Sequence, residues 1–140
     1  MKTLLWAGRK IKLKNLDLLL DLSKEFPVEI ATGISHEELQ EKIMNCHAVL
    51  LPSYSEVCPN FILEAVSFGK PFIMTEETGL REIYDKGGIF VNPFDKKALK
   101  QAISDMLDDA KYEQYKNGLA SVRVARSWSD VAKDFLNICQ

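Results

Sequence analysis

The chain has 140 residues, enough to bury a real core, with 46% apolar and 27% charged residues and a formal net charge of −2. That balance gives no electrostatic reason to expect nucleic acid as a partner, and no apolar run approaches the ~18 residues of a membrane-crossing helix. The LLWAG after Lys2 is too short for a signal peptide, and the three cysteines, Cys46, Cys58 and Cys139, show neither CxxC nor metal-ligand spacing, so a reduced, cytoplasmic setting is expected.

Along the chain two signals alternate. Short β-branched or apolar runs at 3–7, 28–32, 48–51, 71–75 and 89–92 read as strands, with helical patterns at 15–26, 36–46, 59–69 and 79–85 between them. In the first helix Leu16, Leu19, Leu20 and Leu22 keep to one side, Asp17, Asp21 and Lys24 to the other. Ser35 with Glu38 three residues on is a capping-box pattern, Pro59 suits a helical first turn, and Gly69 before Lys70-Pro71 ends the third helix. After Asn92 the pattern is entirely helical, at 95–109, 111–126 and 129 to the end. Two-sided apolar strands alternating with helices predict a Rossmann-like three-layer α/β/α fold: a parallel sheet of about five strands with a helical C-terminal tail, as a single domain over 1–140.

Ligands of such sheets bind at the carboxyl ends of the strands. Residues 8–15, 33–34, 52–60, 76–79 and Pro93 form that rim. Two unusual stretches lie on it. In PSYSEVCPNFILEA a lone carboxylate, Glu64, interrupts the apolar string Phe61-Ile62-Leu63-Glu64-Ala65-Val66. Carboxylates are rarely buried without a partner. Either Glu64 faces solvent or pairs with a lysine, or a ligand shares its hydrogen bonds. The first-turn amides of Asn60, Phe61 and Ile62, with Cys58 near the cap, would suit a phosphate. Glu64, one turn on, could accept two hydroxyls of a ribose, and Glu56 can face the same space.

The second stretch, AGRKIKLKNLD, places Arg9, Lys10, Lys12 and Lys14 directly after the first strand. A solvated basic loop is the plain alternative. The functional one has Arg9 and Lys14 folded toward a polyphosphate, a planar fork and a mobile point charge. Neither GxxxxGK[ST] nor GxGxxG occurs. His36 and His47 lack a second ligand at metal spacing and are expected to be structural, as are Trp6, Trp128, Tyr112 and Tyr115.

Together the two stretches resemble the C-terminal, donor-binding half of the retaining nucleotide-sugar glycosyltransferases of family 4, which have the two-domain GT-B architecture. The resemblance rests on Gly8-Arg9 with Lys14 five residues later, and on Pro52-Ser53 followed by the Glu56-x7-Glu64 pair. It continues through Ala65, Gly69-Lys70-Pro71, Thr75, Gly79 and Glu82, the run from Gly88 to Pro93, and the SWSDVAKDF helix. It implies Arg9, Lys14 and Glu56 as the catalytic set: the two cations on the diphosphate, Glu56 near the reacting sugar carbon. It also implies Arg9, Lys14, Ile34, Glu56, Cys58, Asn60, Phe61 and Glu64 around the nucleotide sugar, with Glu64 on the ribose. No metal or other cofactor is expected. The implied partners are a nucleotide sugar, an N-terminal acceptor domain missing from these residues, and a glycan or lipid-linked acceptor. Transfer with retention is the expected reaction, cytoplasmic or peripheral to a membrane; a GT-B-fold epimerase and a non-catalytic binding or assembly domain are the alternatives. The chain departs from the family in passing from Phe26 directly to PVEIATG, one strand–helix unit short, and in carrying Val57 where glycine is usual.

Overall fold

The computed structural model describes residues 1–121 and 128–139. Five strands, β1 (Leu4–Ala7), β2 (Val28–Ala31), β3 (Ala48–Leu51), β4 (Phe72–Thr75) and β5 (Gly88–Val91), form one parallel sheet in the order β2-β1-β3-β4-β5. Every residue of β1, β3 and β4 is buried, which explains why their sequences read as continuous apolar runs rather than alternating ones. β2 pairs with β1 along its whole length, Leu4 opposite Val28 and Ala7 opposite Ala31. With no strand between them, the turn after β2 stands directly beside the turn after β1.

Helices α1 (Leu16–Leu22), α2 (His36–Asn45) and α3 (Asn60–Ser67) connect the strands, and α4 (Lys96–Leu107), α5 (Asp109–Ala120) and α6 (Trp128–Cys139) follow β5. Ser35 and Glu38 make the reciprocal capping box: Ser35 Oγ accepts from the Glu38 amide, and the Glu38 carboxylate accepts from the Ser35 amide. At the other end of α3, Gly69 takes a left-handed φ of 69°. Its amide donates to Val66 O and that of Lys70 to Ala65 O, the two bonds of a Schellman stop. Asp95 and Asp108 cap α4 and α5 by accepting from the Ala98 and Lys111 amides. Tyr112 braces α5 on the sheet, its ring stacked 3.8 Å from that of His47 and its hydroxyl donating to His47 O. His47 Nε2 lies 3.0 Å from Met106 O and burial lowers its pKa, so this histidine is a structural one.

The helix expected at 79–85 is absent. Leu80 and Tyr84 are buried at helical spacing, but residues 79–87 form successive turns, and Gly87-Gly88 lead straight into β5. Gly88 is needed there, since a Cβ would lie 2.4 Å from the Phe72 ring. The first helix is shorter than expected, ending at Leu22 with turns to Phe26. A 3-10 turn (Lys12–Lys14) precedes it, and Asn15, at φ 59°, redirects the chain into α1. The Asn15 side chain donates from Nδ2 to Pro52 O at 3.1 Å and Pro93 O at 3.5 Å, tying three strand-end loops together. The expected continuation of α5 to residue 126 and the Trp128 side chain lie outside what is described. No described helix is long and apolar enough to cross a membrane.

Candidate functional site

At the carboxyl ends of β1 and β2 a recess opens between these strands and helices α2 and α3. Ala7, Gly8 and Arg9 supply one side, Ala31, Gly33 and Ile34 the next, and Asn60, Phe61 and Glu64 the third. Ala7 and Ala31 are opposite one another in the sheet, so two small side chains form the floor. Gly33 has a left-handed φ of 66°, which turns the chain sharply from β2 toward the cap of α2. Arg9 is exposed on the rim, and among the described residues no carboxylate pairs with it.

Glu64 sits on the third wall. Its side chain keeps 27% exposure, yet Oε2 is closed to solvent and accepts no hydrogen bond from the described residues. Trp6 Nε1 and Ser53 Oγ are likewise buried without a partner, but Glu64 is the one of the three that lines the recess. No lysine braces it: its ion-pair contact among the described residues is His36 Nδ1, 3.9 Å from Oε2. An unpaired carboxylate oxygen in a low-dielectric wall is a standing demand for a hydrogen-bond donor.

A second cluster lies where the turn after β1 meets the loop before α3. Lys14 Nζ bonds to Glu56 Oε1, and the two side chains retain only 19% and 10% of their exposure. The surrounding backbone holds them: the Tyr54 amide donates to Leu13 O, the Glu56 amide to Glu77 O, and Glu56 forms a parallel bridge with Thr78. Glu56 and Glu64 thus flank the start of α3, one paired with a cation and one not. Such an arrangement can offer a bound anion Arg9, Lys14 and first-turn amides, and offer hydroxyls the Glu64 carboxylate.

Of the residues expected to gather, Arg9, Ile34, Asn60, Phe61 and Glu64 share the recess, while Lys14 and Glu56 form the neighbouring ion pair. Pro59 is itself the N-cap rather than a first-turn residue, and its carbonyl accepts from the Ile62 amide at 3.1 Å. Ile62 therefore has no free amide to give, and Asn60 and Phe61 remain. Cys58 precedes the cap, is exposed and does not line the recess. Two features were not anticipated: the Lys14–Glu56 pairing, and His36 beside Glu64. The second had a usable signal, because His36 follows the cap of the helix that starts at the rim. Another recess lies at the amino end of the sheet, lined by Glu29, Glu38, Glu41 and Lys42 among others; its lysine is paired with Glu29, and the two further carboxylates make it a poor site for phosphate.

The family described as glycosyl transferases group 1 matches residues 2–109. An uncharacterized glycosyltransferase of Methanocaldococcus jannaschii is 25% identical over 126 residues, 87% of this chain and 32% of that protein. Glycogen synthase of Mycobacterium tuberculosis is 30% identical over 124 residues, 83% of this chain and 30% of the synthase. Among solved structures, S. aureus TarM in complex with Fondaparinux, alpha-GlcNAc-glycerol and UDP superposes with a TM-score of 0.73 at 12% identity, over 98% of this chain and 35% of that one. The structural likeness bears on the fold alone. The chain spans about a third of the length of these curated relatives. With the family match running over most of its residues, from the basic turn through the Glu56–Glu64 pair to α4, this chain belongs to the glycosyl transferases group 1.

Proposed function

We propose that the chain is the donor-binding domain of a glycosyltransferase that moves a sugar from a nucleotide-diphosphate sugar to a glycan or lipid-linked acceptor, with retention. The observation that carries this reading is the Glu64 carboxylate, unpaired at Oε2, in one recess with Arg9 and the first-turn amides of Asn60 and Phe61. Glu64 takes the ribose hydroxyls, and the recess floor and the turn at Gly33-Ile34 border the base. Arg9 and the two amides meet the diphosphate, joined by Lys14, whose ammonium has three donors and can keep one on Glu56. These groups supply the positive charge that the departing phosphate needs, so no metal is required. Glu56, oriented by Lys14, faces the donor sugar. Retention and the acceptor class rest on the family resemblance. The acceptor is brought by a further domain that closes the cleft, because orientation of two substrates is worth ~7–11 kcal/mol of barrier.

Calorimetry of this chain against UDP-, GDP- and ADP-sugars, with and without a chelator, tests the reading. Saturable binding of one of the three, unaffected by chelator, is expected. No binding of any would overturn it.

A further inference from the structure

His36 is the first residue of α2, launched from a backbone that the Ser35–Glu38 capping box holds in place. Its ring reaches across to α3, with Nδ1 3.9 Å from Glu64 Oε2. The far side of the ring is engaged as well: Gln40 Nε2, one helical turn on, lies 3.2 Å from His36 Nε2. An amide NH2 can only donate, so in this orientation the ring accepts at Nε2 and its proton sits on Nδ1. The protonated nitrogen is the one that faces the carboxylate oxygen lacking a partner. At 3.9 Å the contact is in ion-pair range but longer than a hydrogen bond. The side chain is 63% exposed, so a small rotation of the ring closes the gap without disturbing the core.

We propose that His36 is a positioning residue for Glu64: when a nucleoside diphosphate binds, its Nδ1–H closes onto Oε2 and presents the other oxygen, Oε1, to the ribose. This inference rests on the reading of Glu64 as the ribose ligand. It makes Gln40, His36 and Glu64 a relay from one helix to the next, in which Gln40 sets the tautomer and His36 sets the carboxylate. Ribose recognition at this site then depends on a residue that need not touch the nucleotide.

The test uses the whole chain and whichever of UDP, GDP or ADP binds it most tightly, together with the 2′-deoxy counterpart. Titrations compare wild type with His36→Ala, His36→Asn, His36→Gln, Glu64→Gln and the His36→Ala/Glu64→Gln double variant. Asn places an amide N–H where Nδ1 stands, whereas the amide of Gln reaches only the Nε2 position. The expected result is a loss of about five- to tenfold for Ala and Gln, the scale of one hydrogen bond to a charged group held less well, and near wild-type affinity for Asn. The preference for ribose over deoxyribose should shrink in His36→Ala, and His36→Ala should cost nothing further when Glu64 is already Gln. Wild-type binding by His36→Ala alongside a weakened Glu64→Gln would overturn this inference and leave the ribose reading standing. Additive losses in the double variant would mean that His36 meets the nucleotide directly, which also overturns it, as would an Asn variant as weak as Ala. Wild-type affinity in Glu64→Gln would instead remove the ribose reading itself. Melting temperatures of the His36 variants, expected unchanged at this exposed position, keep loss of fold out of the comparison.

Discussion

Replacing Lys14 by Ala probes the ion pair next to the recess. The substitution leaves the Glu56 carboxylate, 10% exposed, without its bonded cation. Breaking a fully buried pair in this way costs ~3–5 kcal/mol, and exposed pairs contribute ~0–1 kcal/mol. Lys14 at 19% exposure and Glu56 at 10% fall nearer the buried limit, so about 1–3 kcal/mol is expected once partial hydration is allowed for. For a chain of this size each kcal/mol moves the melting temperature by about 3–4 °C, so Lys14→Ala should melt roughly 3–12 °C lower. The double variant Lys14→Ala/Glu56→Gln removes both charges and should recover most of that loss, giving a coupling that a pair of independent surface charges would not show. Arg9→Ala, at an exposed position with no ion-pair partner among the described residues, should melt like wild type. Scanning fluorimetry or calorimetry at fixed pH reads these chains together with Glu56→Gln, the second single variant that the coupling requires. A Lys14→Ala melt within about 1 °C of wild type would show that the pair adds no stability and would refute the reasoning.

Gly88→Ala should destabilise the chain by ~1–3 kcal/mol or more in a urea titration, because the new methyl would meet the Phe72 ring at 2.4 Å and the Phe72 carbonyl at 2.6 Å. A neutral result would mean that β4 and β5 can separate without cost. Burial pushes the Cys46 thiol up to about 11, whereas Cys58 and Cys139 are exposed. At pH 8 the folded chain should therefore be alkylated at Cys58 and Cys139 and at Cys46 only after unfolding, as peptide mass spectrometry would show. Early labelling of Cys46 would contradict the burial of the end of α2 in the core.

Most of the scaffold was legible because its determinants are local. The Ser35–Glu38 cap, the Gly69 stop and the apolar runs of β1, β3 and β4 each depend on residues within a few positions of one another, and each formed as read. The 79–85 segment was misread for the same reason: Leu80 and Tyr84 have helical spacing, but tertiary burial of both and the close passage of Gly88 under Phe72 decide the backbone there. For the site, residue types and chain order brought Arg9, Asn60, Phe61 and Glu64 to one rim, since strand ends in a parallel sheet face the same way. Pairings between distant residues were not visible. Lys14 and Glu56 are 42 positions apart, and no periodicity says that a lysine will find that carboxylate rather than a phosphate. His36 likewise read as structural until the helix that carries it was placed against α3. Ile62 lost its free amide because the first turn of α3 closes with a 3-10 bond onto the Pro59 carbonyl, a local geometry that no pattern in the sequence resolves.

If Glu64 waits for a nucleotide, thermal melts of wild type and Glu64→Gln, each with and without the nucleotide that binds best, will show it. Gln preserves the shape and removes a charge whose Oε2 has no hydrogen-bond donor among the described residues, so the melting temperature without nucleotide should stay level or rise slightly. A ligand that binds only the folded state raises the melt by an amount that grows with the logarithm of its affinity, so the nucleotide-induced shift should be smaller in Glu64→Gln than in wild type. A lower melt for the empty variant, together with an undiminished nucleotide shift, would contradict the account.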